Sequence, residues 1–290
     1  MFKGSMVALA TPFSKEGEVD YTAFHELMEW HIHSGTDAIL LCGITGEAPT
    51  LSHTEQLELI KRGIAVAKGN VPIIAGTGTN NTRVAVHLTE EAKAAGADAC
   101  LIIAPYYNKP TPEGCYRHFE AVNRVGLPIV VYHHPGRSAM RLAVADLARI
   151  ASLSQVVGIK EGSMDLAYVG QLMQTTDVPI FSGDDVLTLA MLGQGAQGVL
   201  SIVANVIPKE WHELCACLLK GDFAQGRAIF RRYQPLTEAM VLETNPQCVK
   251  YALSLLNKCS PHLRLPMVEP QEETKQKIEA AMCTLSIGVA

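Results

Sequence analysis

Eight short apolar segments recur along the first two thirds of the sequence, and each is followed by a stretch with helical character. The segments are continuously apolar, without alternating polar residues, which favours parallel strands that are covered on both faces. Eight such units in about 220 residues predict an α/β fold, a (β/α)8 TIM barrel. The segments begin at Ser5, Asp37, Val71, Ala99, Leu127, Val156, Pro179 and Gly198.

A doubly wound parallel sheet is the alternative arrangement for this pattern. That fold carries a nucleotide-binding fingerprint of three glycines after its first strand. The one partial match, Gly76-Thr-Gly78, lacks the third glycine. Tight-turn glycines are therefore the preferred interpretation, and the barrel is the preferred fold.

Helix boundaries are marked at several points in the chain. Asp20 precedes YTAFHELMEWHIH as an N-cap, and Ser52-x-x-Glu55 forms a capping box. From about Gly221 the strand pattern stops, and three helical segments follow, within FAQGRAIFRRYQPLTEAM, NPQCVKYALSLLNK and EETKQKIEAAM. We therefore expect a catalytic barrel over residues 1–222 and a C-terminal helical region over residues 223–290.

The composition limits the class of protein. Of 290 residues, 48% are hydrophobic and 18% are charged, as is usual for globular chains. The net charge is −5, and the basic residues are scattered, which argues against a nucleic-acid partner. The longest apolar runs are only of strand length, and the N-terminus lacks a secretory signal core, so we expect a cytoplasmic protein with no membrane partner. The eight cysteines are expected to be reduced, since most lie within apolar patterns.

Lys160 ends one of the apolar segments, VVGIKEG, where a charged amine is costly to desolvate. In a barrel, the active site lies at the carboxyl ends of the strands. A pocket of low dielectric lowers the pKa of a lysine, and a neutral amine can attack a carbonyl carbon to form an imine. This is the chemistry of class I aldolases, which needs no metal or cofactor. A lysine that extends to the rim or pairs with Glu161 is the structural alternative, and strand placement alone does not separate the two.

Other polar residues stand at neighbouring predicted strand ends. Tyr132 could transfer protons, and Arg137, five residues further on, could bind a substrate carboxylate. Thr45, with the main-chain N–H groups around it, could hold a second carboxylate. An ordinary rim aromatic and a surface arginine are the structural alternatives for Tyr132 and Arg137. The strand ends carry no group of three histidine or carboxylate ligands, so no catalytic metal is expected, and Asp184-Asp185 is expected to cap the following helix.

Motifs at these predicted strand ends, such as APYYNKP, VYHHPGRS and GIKEG, recur in a known family. Over almost its full length, the chain resembles the dihydrodipicolinate synthase/N-acetylneuraminate lyase family of pyruvate-dependent aldolases. Arg137 favours the synthase branch, because sialic acid lyases usually lack an arginine in this loop. The ETNPQCVKYAL motif is also typical of the synthase branch. The other motifs are GSMVALATPF, G-x-T-G-E, AGTGTN, FSGDD and GVLSIVAN.

The resemblance implies roles for individual residues. Lys160 would form a Schiff base with pyruvate, and Tyr132 would be the acid–base group. Thr45 would bind the pyruvate carboxylate, with Leu200 and Gly183 also contributing to the substrate site.

The resemblance also implies a second substrate and an assembly. Arg137 would bind the carboxylate of L-aspartate 4-semialdehyde, and the product would cyclise to 4-hydroxy-tetrahydrodipicolinate, on the route to diaminopimelate and lysine. The chain would form a homotetramer of two tight dimers, in which Tyr107 reaches into the neighbouring subunit's site. No cofactor is implied.

Two positions depart from the family pattern. His133 stands where the family has asparagine, and we expect it to alter hydrogen bonding in the loop. Ile44 replaces the first threonine of G-T-T-G-E, whose hydroxyl links two tyrosines in a proton relay. Three hypotheses follow: a synthase with an altered relay, which we prefer; another pyruvate-dependent aldolase or keto-acid lyase; and a pyruvate-binding paralogue with little activity.

Some members of the family are inhibited by lysine bound at the tight-dimer interface. Of the positions that match this effector site, His53, Asn80 and Tyr106 are kept. Val84 replaces the acidic residue that would pair with the effector's ammonium group. Desolvating an unpaired ammonium is costly, so we expect little or no feedback inhibition.

Overall fold

A closed barrel of eight parallel strands forms the centre of the molecule, in a computed structural model that describes residues 2–288. Each strand pairs with the next one in the sequence, and the first pairs with the eighth to close the ring. All eight predicted strands are confirmed, and so is the predicted fold class. The strands are β1 (Gly4–Ala8), β2 (Ala38–Leu41), β3 (Ile73–Gly76), β4 (Ala99–Ile103), β5 (Ile129–His133), β6 (Val156–Glu161), β7 (Ile180–Ser182) and β8 (Gly198–Ser201).

Helices surround the barrel and continue beyond its last strand. The three helices predicted after Gly221 are confirmed as the last three of the chain, and the first of them packs on the helix before it. The outermost ends of the two predicted regions, residues 1, 289 and 290, lie outside the described residues. The helices are α1 (Tyr21–His33), α2 (His53–Ala67), α3 (Thr82–Ala95), α4 (Pro112–Asn123), α5 (Pro135–Ser138), α6 (Val144–Ala151), α7 (Leu166–Thr175), α8 (Thr188–Gln194), α9 (Pro208–Leu219), α10 (Phe223–Ala239), α11 (Gln247–Leu255) and α12 (Glu272–Thr284).

Side-chain caps begin the helices where the sequence indicates. The Asp20 carboxylate accepts hydrogen bonds from the first-turn N–H groups of α1. Ser52 and Glu55 form both bonds of the capping box at the start of α2. These caps satisfy N–H groups that have no partner within the helix. None of the helices within residues 2–288 has both the length and the hydropathy that a membrane span requires.

The strands bury both of their faces. In β1, Met6 and Ala8 face a cluster inside the barrel, whereas Val7 packs in the layer between strands and helices. Gly158 admits the ring of Phe181 inside the barrel, because a Cβ at Gly158 would lie 2.3 Å from the Phe181 Cε2 atom. The barrel interior is thus filled with side chains, and chemistry is left to the strand ends.

Candidate active site

Lys160 and Tyr132 lie side by side at the carboxyl ends of β6 and β5. The strand register pairs the two residues directly, and the Lys160 Nζ atom is 4.6 Å from the centroid of the Tyr132 ring. Each residue is only 5% exposed. Because paired residues of parallel strands project to the same face, both side chains share the mouth of the barrel.

Burial changes the proton affinity of both groups. It lowers the pKa of Lys160 to about 8, a shift that the Asp184 and Asp185 carboxylates partly oppose and that Arg137 reinforces. It raises the pKa of Tyr132, and the Asp184 carboxylate raises it further. At neutral pH a fraction of Lys160 is therefore an uncharged nucleophile, while Tyr132 keeps its proton.

Thr45 lies in the turn that follows β2 and is almost fully buried. Its Oγ1 atom accepts a hydrogen bond of 3.0 Å from Asn245 Nδ2. The Thr11 hydroxyl donates to the Gly46 carbonyl oxygen at 2.8 Å and braces the same turn. Within the chain as described, the amide N–H groups of Thr45 and Gly46 donate to no protein acceptor. The turn therefore offers donors for a small anionic group.

The next residue of this turn, Glu47, is held by the C-terminal helical region. Its Oε1 atom accepts from Lys250 Nζ at 2.8 Å, and its Oε2 atom accepts from the Arg264 main-chain N–H at 3.1 Å. The two side chains are 2% and 0% exposed. Burial lowers the pKa of Lys250, and the Glu47 carboxylate opposes that shift. This buried ion pair joins the helical region to the turn that carries Thr45.

His133 makes the hydrogen bonds of the altered loop. Its Nε2 atom accepts from the Leu142 main-chain N–H at 3.2 Å, so the proton resides on Nδ1, which donates to Glu161 Oε1 at 2.9 Å. The pair is buried and lies directly behind Tyr132 and Lys160, since the register also pairs His133 with Glu161. His133 thus fixes β5 against β6 and against the chain that follows α5.

His134 belongs to the site but was not singled out from the sequence. Its ring stands edge-on to the Tyr132 ring with a centroid separation of 5.6 Å, and its Nδ1 atom accepts from the Arg137 main-chain N–H. Burial, with the Arg137 and Lys160 charges, lowers the pKa of His134 to about 4. His134 is therefore a neutral neighbour of Tyr132. The sequence offered no feature that distinguishes it from His133.

The expectation that Asp184 and Asp185 cap the following helix is wrong. Asp184 precedes a 3₁₀ turn without a side-chain cap hydrogen bond. Asp185 Oδ2 instead accepts from the main-chain N–H groups of Ile202 and Val203, at 2.9 and 2.8 Å. Burial raises the pKa of Asp184 to about 6, although the Lys160 charge opposes the shift. Both carboxylates lie close enough to Lys160 to raise its pKa.

Gly183 and Leu200 lie at the ends of β7 and β8. A Cβ at Gly183 would be 2.7 Å from the Glu161 carbonyl oxygen, so only glycine fits beside the end of β6. Leu200 is fully buried in the cluster inside the barrel, with its main chain paired to β1.

The remaining predicted residues lie on the rim. Ile44 is half-buried and packs against the cluster inside the barrel. Arg137 is exposed in the short helix α5, close enough to affect the pKa values of Lys160 and Tyr132. Tyr107 is 89% exposed and has a left-handed backbone, with φ of 69°. The single chain therefore brings Lys160, Tyr132 and Thr45 to one end of the barrel, with Arg137 at the edge and Tyr107 pointing outward.

An eight-stranded barrel with a buried lysine of lowered pKa beside a buried tyrosine defines a Schiff-base-forming lyase. The chain belongs to the dihydrodipicolinate synthetase family, whose model matches residues 1–285. It is 42% identical over 281 residues to the 4-hydroxy-tetrahydrodipicolinate synthase of Thermodesulfovibrio yellowstonii, which covers 96% of each chain.

Comparison with solved structures supports the same family. The dihydrodipicolinate synthase of Aquifex aeolicus matches with a TM-score of 0.97 and 40% identity over 99% of both chains. The chloride-inhibited dihydrodipicolinate synthase of Acinetobacter baumannii, complexed with pyruvate, matches with a TM-score of 0.97 and 38% identity over 99% of this chain and 100% of that one. The family resemblance inferred from the sequence is confirmed.

Proposed function

We propose that this enzyme condenses pyruvate with L-aspartate 4-semialdehyde to form 4-hydroxy-tetrahydrodipicolinate, in the biosynthesis of diaminopimelate and lysine. The observation that carries the proposal is the buried Lys160–Tyr132 pair, with 4.6 Å between the Nζ atom and the ring centroid. Full-length identity above 40% to a named 4-hydroxy-tetrahydrodipicolinate synthase supports the same activity.

The proposed reaction begins with the neutral amine of Lys160. The amine adds to the C2 carbonyl of pyruvate, and loss of water leaves a protonated imine. The imine withdraws electrons from C3, which loses a proton and becomes a nucleophilic enamine carbon. This carbon forms a bond to the aldehyde carbon of the semialdehyde, whose oxygen takes up a proton. The substrate's own amino group then displaces Lys160 as the ring closes.

Tyr132 is the proposed proton carrier for these steps. Its raised pKa keeps the phenol protonated, so it can donate to the departing carbinolamine oxygen and to the new alkoxide. The side chain is fixed by its burial and by the neighbouring His134 ring. Proton transfer therefore occurs from a positioned group in a largely desolvated space.

Thr45 is the proposed ligand of the pyruvate carboxylate. Because its Oγ1 atom accepts from Asn245, its own hydroxyl proton is free to donate. The adjacent main-chain N–H groups can donate as well. We assign the main chain at Leu200 and the glycine surface at Gly183 to the walls of the same pocket.

Arg137 is the proposed ligand of the second substrate's carboxylate. Its guanidinium group can donate two parallel hydrogen bonds to a carboxylate, at the exposed edge of the site. Replacement by alanine, Arg137→Ala, should weaken use of the semialdehyde by a factor that corresponds to about 1.5–3 kcal/mol, with a smaller effect on pyruvate. An equal loss for both substrates would mean that Arg137 has a structural role.

We also propose the assembly and location of the enzyme. The exposed Tyr107 supports a homotetramer of two tight dimers, in which this tyrosine serves the neighbouring subunit's site. Eight free cysteines support a reducing compartment, the cytoplasm. We retain the proposed division of the chain into a barrel of residues 1–222 and a helical region from 223 onward. Analytical ultracentrifugation tests the assembly, and a stable monomer with full activity would contradict it.

Trapping of the imine tests the central assignment. Incubation with pyruvate and borohydride should add a stable adduct at Lys160, located by peptide mass spectrometry. Lys160→Ala should lose the adduct, while replacement of the exposed Lys277 should not. A coupled assay with pyruvate and a panel of aldehydes, including aspartate semialdehyde and N-acetylmannosamine, then identifies the second substrate. An adduct on another residue would overturn the assignment of Lys160 as the nucleophile. Turnover of another aldehyde but not of aspartate semialdehyde would overturn the proposed reaction.

A further inference from the structure

Helices α2 and α3 bring two histidines and a carboxylate together on the outside of the barrel. His53 is the first residue of α2, and His87 and Glu91 lie one turn apart on α3. One ligand atom from each residue lies within 4.8 Å of the other two. In the part of the chain that the structure describes, this is the one group of three or more such ligands. None of the three residues belongs to the candidate active site, and His53 is also one of the positions that match the family's effector site.

The contacts within this group are close. His53 Nε2 is hydrogen-bonded to Glu91 Oε2, and His87 Nε2 is 3.8 Å from Glu91 Oε1. The two imidazole rings stand edge to face with a centroid separation of 5.3 Å. The His87–Glu91 spacing of four residues places both side chains on the same face of α3. The three ligands thus converge from two separate helices.

We propose that His53, His87 and Glu91 form a binding site for a divalent transition-metal ion, with Zn²⁺ as the reference ligand. Two imidazoles and one carboxylate are a donor set that suits Zn²⁺, Co²⁺ or Ni²⁺ and does not suit Mg²⁺ or Ca²⁺. Metal–ligand distances of about 2.0–2.2 Å put tetrahedral ligand atoms about 3.3 Å apart. The His87 Nε2–Glu91 Oε1 distance of 3.8 Å approaches this value. In the single chain, the side chains of His53, His87 and Glu91 are 46%, 58% and 28% exposed, so they can rotate into the tetrahedral arrangement.

The bound ion would connect α2 to α3 and leave a fourth position for water or an external ligand. It would act at the start of α2, which follows the turn that carries Thr45. The ion is thus a clamp between two outer helices, away from the strand ends where the proposed chemistry occurs. Sequence inspection did not predict it, because its members come from separate helices, with His53 and His87 34 positions apart.

The chain supplies a matched control for this proposal. His25 and Glu29 repeat the His-x-x-x-Glu spacing on α1, with Nδ1 and Oε2 3.7 Å apart and both side chains 53% exposed. This pair has no third ligand within the described residues. If two residues at this spacing were sufficient, His25 would bind the ion as well as His87 does.

Titration of chelator-treated protein with Zn²⁺ and Co²⁺ tests the proposal. We expect one ion per chain, a visible Co²⁺ ligand-field spectrum without thiolate bands, and no competition from Mg²⁺. His53→Ala, His87→Ala and Glu91→Gln should each weaken binding at least about tenfold, while His25→Ala should leave it unchanged. The exposed Cys283 is replaced by serine in every sample, so that it cannot contribute a ligand.

Thermal unfolding provides a second readout, since a ligand of the folded state raises the melting temperature. Zn²⁺ should raise it in the parent and in His25→Ala, and not in His87→Ala. Circular dichroism of each variant without metal confirms that it is folded. Equal Zn²⁺ affinity in the parent and in the His53, His87 and Glu91 variants would overturn the site. Equal loss in His25→Ala would show that binding is non-specific.

Discussion

Ile44 is the residue that we expect to depart most from the family's active-site pattern. It fills part of the rim with an apolar side chain that packs against the interior cluster. In the proposed assembly, no hydroxyl at this position could pass a proton between Tyr132 and the tyrosine that a neighbouring subunit would contribute. A positioned acid–base group contributes about 10²–10⁴-fold to a rate, so its absence limits turnover more than pyruvate binding.

We expect Ile44→Thr to raise kcat at least about tenfold, which corresponds to a barrier lower by about 1.4 kcal/mol. Ile44→Val is the matched control, because valine has the shape of threonine without its hydroxyl, and it should leave kcat unchanged. The measurement is steady-state turnover of pyruvate and aspartate semialdehyde for the three proteins. Equal rates for the isoleucine and threonine forms would refute the relay argument, as would an equal gain with valine.

The lowered pKa of Lys160 predicts the pH dependence of imine formation. The neutral amine is the proposed nucleophile, and its fraction falls as the pH drops below about 8. The rate of trapping with pyruvate and cyanoborohydride should rise about tenfold per pH unit below that value and level off above it. Asp184→Asn removes a carboxylate that raises this pKa, so it should move the profile to lower pH. A rate that keeps rising well beyond pH 9 would contradict a lowered pKa.

Among single residues, the sequence was sufficient to predict the candidate site residues that lie at strand ends. Lys160 and Tyr132 could be found because each follows an apolar run, and parallel strands bring their ends together. Asn245 could not be assigned to Thr45, because 200 positions separate them and only the folded chain makes that hydrogen bond. The sequence assigned Asp184 and Asp185 to a helix cap because a position between a strand and a helix suits a cap as well as it suits a role at the strand end.

Among the elements, the contact between α11 and the turn after β2 depends on a buried ion pair that a single change would break. Lys250→Met would leave the Glu47 carboxylate buried without its partner. Removing one member of a buried pair costs about 3–5 kcal/mol, so we expect the free energy of unfolding to fall by about that amount in urea titrations.

Lys277→Ala is the control for this experiment. Lys277 pairs with Glu273 on the exposed surface of α12, with 55% and 79% of the side chains exposed. Loss of such a pair should change the free energy of unfolding by at most about 1 kcal/mol. The double change Glu47→Gln with Lys250→Met should recover part of the loss. A Lys250→Met protein as stable as Lys277→Ala would show that the pair does not stabilise the fold.

The strands and most helices could be predicted because their causes are local. Continuous apolar runs mark doubly covered strands, and Asp20 and Ser52 mark helix starts. The short helix α5 and the 3₁₀ turn after Asp184 lack such features, because three or four residues are too few to show a hydrophobic period. These short elements carry Arg137 and Asp185, so the sequence could propose Arg137 as a site residue but could not predict the element that holds it.

For the whole molecule, the positions that match the family's effector site lead to a prediction about the response to lysine. Val84 is 42% exposed near the start of α3, while Asn80 Nδ2 donates to the Tyr106 carbonyl oxygen at 3.2 Å. An apolar side chain cannot pair with the effector's ammonium group, so lysine at millimolar concentration should inhibit little. Val84→Glu should increase inhibition, and Val84→Thr is the control. Initial rates are measured with a chelator present, and strong inhibition of the parent enzyme would refute the prediction.

The hydrogen bond between Asn245 and Thr45 and the ion pair between Lys250 and Glu47 span 200 and 203 positions. A nascent chain on the ribosome can therefore expose Lys160 and Tyr132 long before it can hold the Thr45 turn in its final arrangement. A product of premature termination upstream of residue 245 would carry the reactive lysine without the donor that orients Thr45. The helical region thus makes synthesis beyond residue 250 a condition for holding the Thr45 turn in place.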